Sequence, residues 1–122
     1  MTEKKTSYEA EYRDVVNAVE RGDNAAKTRY AWFKLTGLGG CVVDEDGAVA
    51  LLEERVKDRD GEAMWMLGLC CEYGVGIEQD IERAEMLYKQ SGERGNEIGK
   101  WLAENGNDNI RGSGKMKMKN SL

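Results

Sequence analysis

The chain has 122 residues, 34% charged and 40% hydrophobic, with no proline, no histidine and a formal net charge of −5. That length sets a single domain with a modest core, and without histidine a Ser/His or Cys/His nucleophile is impossible. One phenylalanine and no proline argue against a β-sandwich or barrel, and no apolar stretch approaches the length of a membrane span.

Residues 1–6 are polar and charged, which reads as a frayed start rather than a secretory signal. Ser7 is a candidate N-cap for a helix through Arg21, with Tyr8, Tyr12, Val15, Val16 and Val19 as its apolar stripe. Gly22 ends that helix. The following segment places Ala26, Tyr30, Ala31, Gly37 and Gly39, then Asp44, Ala48, Leu51 and Leu52. A helix is expected from Asp44 to about Asp58.

The clearest pattern runs from Gly61 to Gly95. Ala63, Met66, Leu67, Cys70 and Cys71 share one side of a helix at 3.6-residue spacing. Gly74 and Gly76 close it, because glycine accepts the left-handed conformation of a helix C-terminus. Asp80 restarts the chain as an N-cap. Ala84, Leu87, Tyr88 and Ser91 hold one face of the second helix, and Gly95 ends it.

Set against this stretch, the preceding segment is a degenerate copy. Its first five positions match Ala63, Leu67, Gly68, Gly74 and Gly76 at an offset of 37, and its last four match Asp80, Ala84, Leu87 and Tyr88 at 36. Neighbouring offsets of this kind mark an internal repeat. The slip of one falls in the loop Gly40–Val43. Two extra residues before Gly61 point to a longer helix or a wider turn. Ser7 stands before Gly22 as Asp80 stands before Gly95, so the first helix reads as the second half of a repeat.

Beyond Gly95, Asn96 is a candidate cap for a short helix through about Glu104. Ile98, Trp101 and Leu102 are available there to cover the end of the stack, and Trp101 reads better as a cap than as a contact. The tail from Asn107 is rich in Gly, Asn, Ser and Lys and is expected to be disordered or loosely attached. It carries a net +3, which leaves −8 on the rest.

The ordered positions Ala63, Leu67, Gly68, Gly74, Gly76, Asp80, Ala84, Tyr88 and Gly95 resemble the Sel-one-like repeat, a relative of the tetratricopeptide repeat. Arg83 stands for the family's lysine, Ile77 for its valine, Leu87 for its tryptophan, Cys71 for its tyrosine and Gly92 for its alanine. The resemblance implies an all-α fold, a short right-handed α-solenoid of about two repeats with capping helices. Its expected parts are a repeat domain over 1–106, made of a cap helix (7–22), a degenerate repeat (23–60), a full repeat (61–95) and a second cap (96–105), then a basic tail (107–122). It also implies binding of other proteins.

Candidate contact residues lie opposite the core stripe of each first helix: Trp65, Leu69 and Glu72 in the full repeat, Thr28, Trp32 and Leu35 in the degenerate one. Tryptophan and leucine on a nominally outer face suit a concave groove for a peptide or helix. The same tryptophans could instead fill the seam between repeats. Lys27, Arg29 and Lys34 could add positive charge to the rim of the groove, and a solvated face explains them equally well.

Asp58, Asp60 and Glu62 lie close enough in sequence to attract a cation, but their spacing does not fit a calcium loop. No catalytic residue, cofactor or metal is assigned. Cys41, Cys70 and Cys71 lack the regular cysteine register of secreted, disulfide-stapled relatives, so buried thiols in a cytoplasmic protein are expected. An acidic body disfavours nucleic acid and favours a basic protein or peptide partner. The leading expectation is a non-enzymatic adaptor. The alternative is a dedicated inhibitor or immunity-type protein for one enzyme or toxin. A hydrolase of the β-lactamase-like kind known among disulfide-rich relatives comes third.

Overall fold

The structure, a computed structural model, describes residues 7–106. The expectations for residues 1–6 and for the basic tail 107–122 lie outside the described residues. Six helices follow in order: α1 (Ser7–Glu20), α2 (Ala26–Thr36), α3 (Glu45–Lys57), α4 (Gly61–Tyr73), α5 (Ile81–Glu93) and α6 (Glu97–Asn105). A short 3-10 turn, Leu38–Gly40, lies between α2 and α3, and there is no strand among the described residues.

Local chemistry starts four of these helices. The Asp44 carboxylate accepts from the Gly47 N–H at 2.9 Å, and Asp80 accepts from Arg83 at 3.0 Å. Asp60 takes the N–H groups of Glu62 and Ala63, and Asn96 takes that of Gly99. Each such cap stabilises its helix by about 1 kcal/mol. Gly37 and Gly74 close α2 and α4 in the left-handed conformation. α1 runs from Ser7, the first described residue, to Glu20.

The main packing is within two hairpins, α2 with α3 and α4 with α5, and the second stacks on the first through α3 and α4. Ala31, Ala48, Leu52, Ala63, Leu67, Cys71, Ala84 and Tyr88 lose all solvent exposure between these layers. The result is a short α-solenoid. α1 covers the outer side of α2: its Tyr12 ring lies 5.4 Å from Phe33 and 6.4 Å from Tyr30. Phe33, which no repeat position flagged, is completely buried.

The repeat is also visible in how the glycine loops dock. A Cβ on Gly76 would meet the Glu45 carbonyl oxygen at 2.5 Å, and one on Gly39 would meet the Tyr8 carbonyl oxygen at 2.6 Å. Each loop therefore presses on the start of the preceding second helix, and only glycine permits the approach. Tyr8 stands to Gly39 as Glu45 stands to Gly76, so α1 meets the first glycine loop as α3 meets the second.

The wider turn expected before Gly61 does not form. Asp23, Asp60 and Asn96 each donate to the carbonyl five residues back (Ala18, Arg55 and Ser91) at 3.0, 3.1 and 3.1 Å. All three turns after a second helix thus share one hydrogen-bond pattern. Their left-handed residues are Gly22, Arg59 and Gly95, with φ of 91°, 66° and 91°.

At the far end, the closing role falls to Leu102, which is 8% exposed, whereas Ile98 and Trp101 stay 50% and 58% exposed. The expectation that Trp101 seals the stack is corrected. Gly99 and Leu102 occupy the α6 face turned to the core, and helical periodicity places Trp101 off that face.

Candidate functional site

Between α2 and α4, the first helices of the two repeats, the surface opens into a groove of about 360 Å³. Trp32 and Leu35 line it from α2, Trp65, Leu69 and Tyr73 from α4, and Val75 from the loop after it. These are half-buried apolar side chains, except Tyr73, which is exposed. The groove exists because α2 and α4 diverge in contact: each packs mainly on its own second helix, and they touch one another only lightly.

Four of the six residues assigned from sequence therefore meet in one place: Trp32, Leu35, Trp65 and Leu69. Thr28 and Glu72 do not join them. Thr28 is buried, and its hydroxyl donates to Asp60 across 2.7 Å, tying the start of α2 to the cap of α4. Glu72 is fully buried and accepts from the Tyr88 hydroxyl at 2.6 Å, inside the α4–α5 hairpin. A partner on the surface reaches neither. The core stripe of α4 is wider than its small residues suggest, so position 72 turns inward.

Tyr73, Val75, Thr36, Met66 and Cys70 also line the groove and were missed. Tyr73 carried a usable signal: it follows Leu69 by one helical turn and precedes the closing Gly74. Both alternatives for the indoles hold in part, because Trp32 and Trp65 pack against the core and still face the groove. The Trp65 Nε1–H is enclosed and has no acceptor among the described residues.

The expected positive rim is largely neutralised. Lys27 pairs with Glu54 at 2.7 Å, and Lys34 lies 3.6 Å from Asp44. The Arg29 guanidinium sits 4.1 Å from the Trp32 ring centre and forks onto Glu11, which holds the Glu11 carboxyl below its ordinary value. Arg29 thereby orients one wall of the groove.

Burial pushes the Cys70 thiol up to about 12, with Cys71 and Glu45 adding to it, so it stays protonated and a poor nucleophile. Asp58 is bonded to Arg55 at 2.9 Å while Asp60 serves as a cap, so this acidic loop is spent on structure. Among the described residues no group of histidines, cysteines or carboxylates is arranged to hold a metal ion. No described helix is long and apolar enough to cross a membrane.

No functionally curated protein matches the sequence. Among solved structures, that of a Sel1 repeat protein from Oxalobacter formigenes is similar, with 30% identity and a TM-score of 0.68 over 79% of this chain. The chain spans 38% of the length of that solved chain. The Sel1 repeat description matches residues 24–54 and 61–96, which together exceed half the sequence. Repeats of this kind are generally protein-interaction modules. With two matched repeats, stacked hairpins and glycine loops docked in register, the chain belongs to the Sel1 repeat family.

Proposed function

We propose that the protein is a non-enzymatic adaptor that receives an apolar segment of a partner protein in the α2–α4 groove. The observation that carries this reading is the clustering of Trp32, Leu35, Trp65, Leu69 and Tyr73 around one open concavity. Aromatic anchors beside aliphatic ones are the usual make-up of binding hot spots.

The test compares capture of partners by the wild-type chain with capture by Leu69→Asp and by Trp32→Ala/Trp65→Ala. Helical circular dichroism and melting are recorded alongside. Loss of capture with a retained fold supports the groove; unchanged capture removes it. The acidic balance of the chain favours, as a second reading, an inhibitor or immunity-type protein for one basic target. That reading requires association with the target to slow steeply as salt rises.

A further inference from the structure

The three turns that follow a second helix share a backbone course but not a residue type. Gly22 and Gly95 supply the left-handed residue in two of them, and Arg59 supplies it in the third. A side chain with a Cβ is disfavoured in that conformation. Arginine is therefore held here against its local preference, at a position its sister turns give to glycine.

Arg59 lines a surface concavity of about 400 Å³. Lys57 joins it from the end of α3, and Gln90, Glu93 and Arg94 join from the end of α5, with buried Met64 beside them. The Arg94 Nε donates to the Arg59 carbonyl at 3.1 Å, which fixes one guanidinium against the turn that carries the other.

Among the described residues, none of these three cations lies within salt-bridge distance of a carboxylate. Lys57 acts on Glu53 and Glu54 only from further away. Lys27, Arg29, Lys34, Arg55 and Arg83 are bridged, whereas Arg13, Arg21, Lys89 and Lys100 share the unbridged state of these three without lining the concavity. Counting Glu93, the concavity keeps an excess of two positive charges on a chain of net −5. A cation near the end of a helix complements the terminal carbonyls, which accounts for Lys57 and Arg94. It does not account for Arg59, which stands beyond the helix.

We propose that this concavity binds a phosphate group, clasped by the Arg59 and Arg94 guanidinium groups with Lys57 as a third donor. Planar guanidinium donors match phosphate oxygens. The two-charge excess suits a phosphate dianion better than a single carboxylate. The concavity and the α2–α4 groove share no lining residue, so this reading does not depend on the adaptor reading.

The full chain is titrated calorimetrically at constant ionic strength with inorganic phosphate and with a phosphoserine peptide flanked by neutral residues. The unphosphorylated peptide and chloride serve as controls. The expected result is saturable binding of phosphate, weakened about tenfold or more in Arg59→Gly and in Arg94→Gln. Arg59→Gly is safe for the fold because glycine occupies the two sister turns, and Lys57→Met gives a second variant away from the turn. A phosphopeptide that binds more tightly than inorganic phosphate identifies a protein-borne group; equal or weaker binding identifies a free anion. A response no greater than that to chloride, or affinity unchanged in Arg59→Gly, overturns the proposal.

Discussion

The Tyr88 hydroxyl donates to a carboxyl oxygen of Glu72 across 2.6 Å, and neither side chain reaches solvent. This bond joins the two helices of the second hairpin at their most enclosed point. Tyr88→Phe keeps the ring and removes only the donor. A buried acceptor that loses its donor costs about 1–3 kcal/mol. The variant should unfold at lower urea concentration with an unchanged slope. A midpoint equal to wild type would show that the pair contributes nothing.

The same ring makes Gly68 obligatory. A Cβ there would meet Tyr88 Cε1 at 2.6 Å and Cδ1 at 2.8 Å. Tyr88 cannot retreat without losing Glu72, so both constraints act on one side chain. Gly68→Ala is expected to destabilise by about 1–3 kcal/mol despite alanine's better helix propensity. Thermal melting of Gly68→Ala, alone and combined with Tyr88→Phe, measures this. Non-additive losses would confirm the coupling.

These two residues also mark how far the sequence could be read. Gly68 and Tyr88 were legible as repeat positions because close helix approach and a large filling side chain recur at fixed spacing. The caps at Asp44, Asp80 and Asn96 were legible for a local reason: each needs only its own carboxyl or amide and the next turn. Glu72 was not legible, since a carboxylate at an outer helical position gives no sign of a tyrosine sixteen residues later. Thr28 failed likewise, its partner Asp60 lying in the next repeat. Arg59 hid the third turn because the left-handed residue there is not glycine.

Arg83 and Glu53 link α5 to α3 through a two-pronged bridge of 2.8 and 3.0 Å. Arg83 holds the Glu53 carboxyl below its ordinary 4.5. A carboxyl lowered on folding stabilises the fold fully above its unfolded value. That stabilisation is lost as pH falls through the lower folded value. Because both partners remain partly exposed, the bridge contributes only about 0.2–1 kcal/mol. Glu53→Gln should melt slightly below wild type at neutral pH, and the difference should vanish in acid. A gap that persists in acid would assign the loss to packing instead.

The thiols give the opposite pH sign. Burial raises the Cys70 thiol from 9.0 to about 12 and moves Cys71 in the same direction. Both are therefore kept neutral by the fold. The associated stability is complete below about 9 and is lost as pH climbs towards 12, because the unfolded thiols ionise first. All three cysteines are free, and Cys41 is the least deeply buried. Cys41→Ser isolates the adjacent pair without touching α4. In that variant a thiol reagent at mildly alkaline pH should label Cys70 and Cys71 only as fast as the protein opens. Denaturant should release both thiols at once. Rapid stoichiometric labelling of the native variant would mean that α4 does not stay packed between α3 and α5.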